Sequence, residues 1–246
     1  MRRIGLAALT LLAVIGAASL GRATAQDELE AEPGSIERGA QLFVTACATC
    51  HGSGGVGTAN GPPVAGAGAA LADFQLRTGR MPRAQPLGGQ SLPKPPAFGE
   101  QEIRDLVAYV ASLGDGPPIP DVEPGGSLSA GMELFVANCA PCHGATGAGG
   151  AVGGGWLAPR LDQASPRIVA EAMLVGPGQM PVFDLPDDDV NAVAAYVEYL
   201  GTSAQPGGFS IGNIGPVPEG FVGWFVGMGL LGALVYLIGR DWTKAG

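Results

Sequence analysis

The segment Cys47-Ala48-Thr49-Cys50-His51 recurs as Cys139-Ala140-Pro141-Cys142-His143, and the two copies use up every cysteine and every histidine of the chain. Cysteines spaced this way stand about one helical turn apart. Two C-x-x-C pairs suit a four-cysteine zinc site, two small disulfides or two covalently attached porphyrins. Zinc and disulfides give no reason for a histidine directly after each pair. C-x-x-C-H does: the two thiols add to the two vinyl groups of one haem, and the adjacent imidazole is held beneath the iron. The sequence therefore predicts two covalently bound haem c. Cys47, Cys50, Cys139 and Cys142 are the anchors, and His51 and His143 the proximal iron ligands.

The repetition extends beyond the motifs. Gly39, Leu42 and Phe43 precede the first, and Gly131, Leu134 and Phe135 precede the second at the same offset of 92 residues. A duplicated domain is the simplest origin. In each copy Leu and Phe share a helix face with the Gly three or four positions earlier, which predicts a helix that another crosses closely. The crossing partners are Glu100 to Leu113, with Ile103, Leu106, Val107, Val110 and Leu113 in a stripe, and residues 187–200, with Val190, Val193, Ala194, Val197 and Leu200. Gly114 and Gly201 read as their stop signals. Tyr109-Val110 and Tyr196-Val197 match between them, and the tyrosines read as core.

Each copy also holds one Met-Pro between its haem motif and its last helix, at Met81-Pro82 and Met180-Pro181. Thioether sulfur is a soft ligand that favours reduced iron. With no third histidine, the second axial position cannot be His, and Met81 and Met180 are the expected distal ligands. Lone methionines usually fill cores, and Met173, inside the helical pattern Ile168 to Val175, is the competitor to Met180.

Composition matters where it bears on location and partners. The chain has 42 glycines, 21 prolines and a net charge of −9. So loop-rich a chain can still fold if a porphyrin supplies much of each apolar core. Arg2 and Arg3 followed by the apolar run Ile4 to Leu20 and Ala23-Thr24-Ala25 predict a cleaved export leader over residues 1–25. The run is also just long enough to remain as an anchor. Removing the leader leaves a mature charge of about −12, which argues against nucleic acid and anionic lipid as charge partners and suits a basic protein. Phe221 to Ile238 carries no charge, with Trp224 and Trp242 near its ends and Arg240 and Lys244 after it. That pattern predicts one transmembrane helix with a cytoplasmic C-terminus.

The resulting expectation is a mainly α chain of two tandem class I-like cytochrome c domains plus one C-terminal transmembrane helix. Residues 1–25 form the leader, 26–34 an acidic linker, 35–116 the first domain and 117–127 a linker. Residues 128–201 form the second domain, 202–218 a linker, 219–240 the transmembrane helix and 241–246 the cytoplasmic tail. Gly52 to Gly57 matches G-x-G-x-x-G by letter, but it follows a haem motif and not a strand, so no dinucleotide site is expected. Gly144 to Gly155 reads as a loop over the porphyrin edge, with Trp156 and Arg160 beside it.

Two G-x-x-L-F-x-x-x-C-x-x-C-H units, two Met-Pro sites, Gln205-Pro206-Gly207-Gly208 and Pro216-Val217-Pro218-Glu219-Gly220 lead in this order into one span. The arrangement resembles the dihaem cytochrome c subunit of the actinobacterial cytochrome bc complex, a menaquinol–cytochrome c reductase. The resemblance implies an electron-transfer subunit of that reductase in the cell membrane, with haem domains on the extracytoplasmic side. It would pass single electrons from a Rieske iron–sulfur subunit to the copper centre of a cytochrome c oxidase, beside a cytochrome b subunit. A free-standing anchored shuttle and a dihaem peroxidase are the alternatives; the second needs an iron with an open position.

Overall fold

The computed structural model describes residues 32–84, 89–123, 125–203 and 216–242. The predicted leader, most of the acidic linker, the Gln205–Gly208 motif and the end of the tail lie outside the described residues.

The first half contains α1 (Ile36–Ala46), α2 (Ala48–His51), a short 3-10 turn (Ser53–Gly55), α3 (Gly68–Arg77) and α4 (Glu100–Ala111). The second contains α5 (Leu128–Asn138), α6 (Ala140–His143), an antiparallel hairpin of β1 (Gly150–Gly153) and β2 (Trp156–Ala158), α7 (Pro166–Val175) and α8 (Asp187–Thr202). A long helix, α9 (Pro216–Trp242), follows.

The starts of α1 and α5 are set by Ser35 and Ser127, whose hydroxyls accept from the backbone N–H of Arg38 (3.3 Å) and Ala130 (3.4 Å). Such caps satisfy a helix-end donor that would otherwise lack a partner. Each helix then lies across the last helix of its half. A Cβ at Gly39 would strike the carbonyl oxygen of Asp105 in α4, and one at Gly131 that of Ala192 in α8. Only glycine permits these backbones to approach so closely. Beside each crossing an aromatic pair closes the gap: Phe43 with Tyr109 at 5.1 Å between ring centroids, and Phe135 with Tyr196 at 5.4 Å. The core of the first half is Phe43, Leu76, Ile103, Leu106, Val107 and Val110. That of the second is Phe135, Val169, Met173, Val193, Ala194 and Val197.

The structure departs from the sequence reading in four places. Helix α3 is an additional element: half of its apolar side chains are alanines, and a buried Asp73 interrupts the stripe. The glycine-rich stretch after the second motif is not a plain loop, because residues 150–158 pair as the β hairpin around Gly154 and Gly155, both at positive φ. Gly201 does not stop α8, which runs to Thr202; it lies against the carbonyl of Asp162, where a side chain would not fit. The connection between the halves is docked at three places. Ile119 packs on the first core and Val122 on the second, and Pro117 accepts a hydrogen bond from the N–H of Ala70 (3.1 Å).

The segment Glu219–Arg240 of α9 has a mean hydropathy of 2.1, and none of its apolar window is buried in the protein. Phe221, Trp224, Leu230, Val235 and Tyr236 are all more than half exposed. A helix this long and apolar with no protein cover is a candidate membrane anchor. Its start at Pro216 uses prolines where the first turn tolerates them, since those N–H groups have no intrahelical acceptor.

Candidate functional site

Both C-x-x-C-H segments adopt one backbone turn. Cys47 ends α1 by donating its N–H to Phe43 (2.9 Å), and its carbonyl accepts from Cys50 (3.1 Å) and His51 (2.9 Å). Cys139 repeats this with Phe135 (2.8 Å), Cys142 (3.1 Å) and His143 (2.9 Å). Gly52 and Gly144 leave the turn at φ 76° and 77°, a region that disfavours side chains. The residues carrying the chemistry are thus fixed as extensions of α1 and α5, whose positions the glycine crossings set.

None of the four cysteines is in a disulfide. Burial, with a smaller contribution from the neighbouring cysteine, pushes the thiols of Cys47 and Cys139 up to about 11. Zinc needs thiolates, whereas a thioether carries no charge and suits a half-buried, apolar position. Among the described residues, which include all four cysteines, no three His, Cys, Asp or Glu side chains converge on a point. The donor chemistry fits attachment to porphyrin and not a four-cysteine zinc site.

His51 Nδ1 lies 2.8 Å from the carbonyl of Pro62, and His143 Nδ1 lies 3.0 Å from that of Pro159. A carbonyl only accepts, so Nδ1 carries the proton and donates it, leaving the Nε2 lone pair available to a metal. Burial lowers the pKa of His143, against a smaller opposite effect of the Pro159 bond. The neutral imidazole so favoured is the ligating form. Sequence reasoning missed the prolines. Their carbonyls have no side-chain signature; the only hint is that each glycine-rich stretch after a haem motif runs on to a proline.

A methionine packs on the core of each half. Met81 packs half-buried on the first core together with Cys47 and Ala48. Met180 does so on the second with Cys139 and Ala140. Met173 is 3% exposed and is itself part of the second core. Arg80, next to Met81, lies over the Phe74 ring at 4.7 Å, and burial lowers its pKa. Arg160 pairs with Asp162 at 2.8 Å, and the Trp156 ring on β2 lies where a Cβ added at Gly178, two residues before Met180, would meet it.

Residues 36–114 match the cytochrome c family, and residues 126–197 match the family of cytochrome c oxidase, cbb3-type, subunit III. The cytochrome bc1 complex cytochrome c subunit of Mycobacterium tuberculosis (strain ATCC 25618 / H37Rv) is 39% identical over 212 residues, covering 81% of this chain and 75% of that protein. The protein of the same name from Corynebacterium efficiens is 36% identical over 258 residues, covering 96% and 86%. The cbb3-type cytochrome c oxidase subunit FixP of Rhizobium meliloti is 29% identical over 191 residues, covering 68% and 61%.

Proposed function

The chain belongs to the family of cytochrome bc1 complex cytochrome c subunits, and from that premise we propose that it is the membrane-anchored relay between a Rieske iron–sulfur subunit and a cytochrome c oxidase. Family membership makes it a redox subunit of a bc complex with two covalently bound haem c. The finer reading is a quinol–cytochrome c reductase in which His51 and Met81 hold one iron and His143 and Met180 the other. Bound haem supplies a one-electron couple at each site. His51 and His143 bind through Nε2 and are oriented by the Pro62 and Pro159 carbonyls. Met81 and Met180 favour the reduced state and raise the potential.

The observation that carries this reading is the packing of one methionine on the same core as the first cysteine of one C-x-x-C-H, twice over. A methionine in that place argues against a peroxidase, which needs an open position. The match of residues 126–197 to an oxidase subunit family supports an oxidase as electron acceptor. The candidate anchor Glu219–Arg240 supports a cell-membrane, single-pass chain, and Arg240 and Lys244 after the apolar run support haem domains outside. It would stand beside cytochrome b, where tethering keeps the local concentration of the donor high.

Purification of the tagged full chain in mild detergent tests the proposal. Cytochrome b, Rieske and oxidase subunits should co-purify, and the assembly should reduce oxygen with quinol. Recovery of the chain alone, with quinol oxidation intact in the remaining membranes, would point to a free-standing shuttle.

A further inference from the structure

Helices α3 and α7 meet between the two haem-bearing halves, and the meeting place is charged and buried. Asp73 on α3 is 1% exposed, and Glu171 on α7 is fully buried. Arg167, one turn before Glu171, spans the junction. Its Nε donates to Glu171 Oε1 at 3.1 Å, and its Nη2 reaches Asp73 Oδ2 at 2.9 Å. Arg77 Nε holds Asp73 from its own helix at 2.9 and 3.0 Å, and Arg77 Nη1 binds Glu100 of α4 at 2.6 Å. Arg104 lies near the same Glu100 at 3.9 Å.

Burying two carboxylates side by side costs a great deal unless cations and hydrogen bonds compensate. Burial, then the nearby Asp73, pushes the Glu171 carboxyl up to about 8. A hydrogen bond that the protonated Glu171 carboxyl makes to Asp73 adds to that rise. So costly a group is not needed to fold either half, since each already has its own apolar core. A buried ion pair is better suited to selecting one arrangement over others than to adding stability.

We propose that Arg167 and Asp73 are a positioning pair that fixes the two haem-bearing halves in one mutual arrangement, so that electrons cross between them at a set separation. This inference rests on the relay proposed above. It is supported by a second contact across the same junction, where the Gln90 side-chain amide donates to the Leu157 carbonyl (2.6 Å) and accepts from its N–H (2.9 Å). Gln90 lies in the loop that follows Met81, and Leu157 lies on β2 beside Trp156, whose ring stands near Gly178 before Met180. The docked connection through Pro117, Ile119 and Val122 then has a fixed interface to follow.

The test uses the full chain, haem-loaded, in detergent. Two readouts are taken: the rate at which a protease cuts residues 114–127, and the rate of electron exchange between the haems after photoreduction of one. Arg167 is 40% exposed at its side chain, Arg77 still holds Asp73 and the raised Glu171 carboxyl can stay neutral, so Arg167→Ala should leave both folds and both haems in place. It should speed cleavage severalfold and slow exchange severalfold. Asp73→Asn should do the same, and the double variant should fall short of the sum of the two singles, because the Arg167–Asp73 contact is common to both. Arg167→Lys, which can reach only one carboxylate at a time, should recover part of both. Adding Gln90→Ala to Arg167→Ala should loosen the junction further. Unchanged cleavage in Arg167→Ala overturns the inference, as does faster cleavage with unchanged exchange, and both leave the relay standing. Absence of any exchange in the unaltered protein overturns the relay, and the positioning role with it, even where cleavage responds.

Discussion

The two halves share one helix crossing but build different walls around it. Caps at Ser35 and Ser127, glycines at 39 and 131 and the Phe–Tyr pairs repeat nearly unchanged. At the crossing itself the first half places Asp105, which binds Arg38, the Ser35 N–H and Gln101, while the second places Ala192. The distal walls also diverge: a proline-rich loop follows Met81, whereas a β hairpin and a short turn flank Met180. The parts that fix the cysteine–histidine turn are held in common. The parts that tune and join the sites are not, so the duplication kept its scaffold and varied what faces the haem and the neighbour.

The shared scaffold predicts the largest effects. Phe43 and Phe135 are 2% and 0% exposed at equivalent places. Phe43→Ala and Phe135→Ala should each cost about 3–5 kcal/mol by leaving a cavity, read by denaturant unfolding followed through each haem. Unequal costs would show that one half depends on the crossing less than the other. Gly39→Ala and Gly131→Ala should come next, at about 1–3 kcal/mol, because each added Cβ meets a backbone carbonyl that cannot yield without moving a helix. A neutral result in either would mean that crossing can open.

This division explains what is legible in the chain alone. The crossing is legible because its residues repeat by identity: Gly39 with Gly131, Phe43 with Phe135, Tyr109 with Tyr196. The haem anchors are legible because thiol and imidazole chemistry demands one local spacing. Helix α3 is hidden because Ala69, Ala70 and Ala72 give a weak stripe and Asp73, though buried, reads as a surface residue. The Pro62 and Pro159 carbonyls are hidden because a backbone acceptor leaves no mark in the sequence. The Asp73–Arg167 bridge joins residues far apart in sequence, on elements with no local pattern linking them.

A smaller effect separates the halves by pH. The Arg38 guanidinium, aided by the Ser35 N–H and Gln101 and opposed by burial, holds the Asp105 carboxyl at about 2. Unfolded, it titrates near ~3.9. Because the folded value is the lower one, the pairing contributes fully above about pH 4 and is lost as pH falls through about 2. Asp105→Asn should therefore destabilise the first half by about 1–3 kcal/mol at pH 7, and the gap to wild type should shrink on acidification. The second half, with Ala192 at that place, should not respond to Asp105→Asn. A gap that stays constant down to pH 2.5, about the lower end of that window, would show that the carboxylate is not what the crossing uses.

The smallest stability effect concerns the second half's two methionines, and it bears on which one faces the iron. Met173 is a core residue packed among Val169, Val193 and Val197. Met173→Leu keeps its bulk and apolar character and should cost less than about 1.5 kcal/mol. If Met173 only fills the core, the absorption and potential of the second haem should be unchanged. Met180 is only partly buried, and Met180→Leu should be nearly silent in stability. It should nevertheless remove the thioether ligand, lower the second haem's potential and leave an iron that binds added imidazole. Met81→Leu should do the same to the first haem alone, since Met81 packs only on the first core. Imidazole binding after Met173→Leu, with none after Met180→Leu, would exchange the two roles. The distal ligand of the second half would then come from a helix, while that of the first comes from a loop.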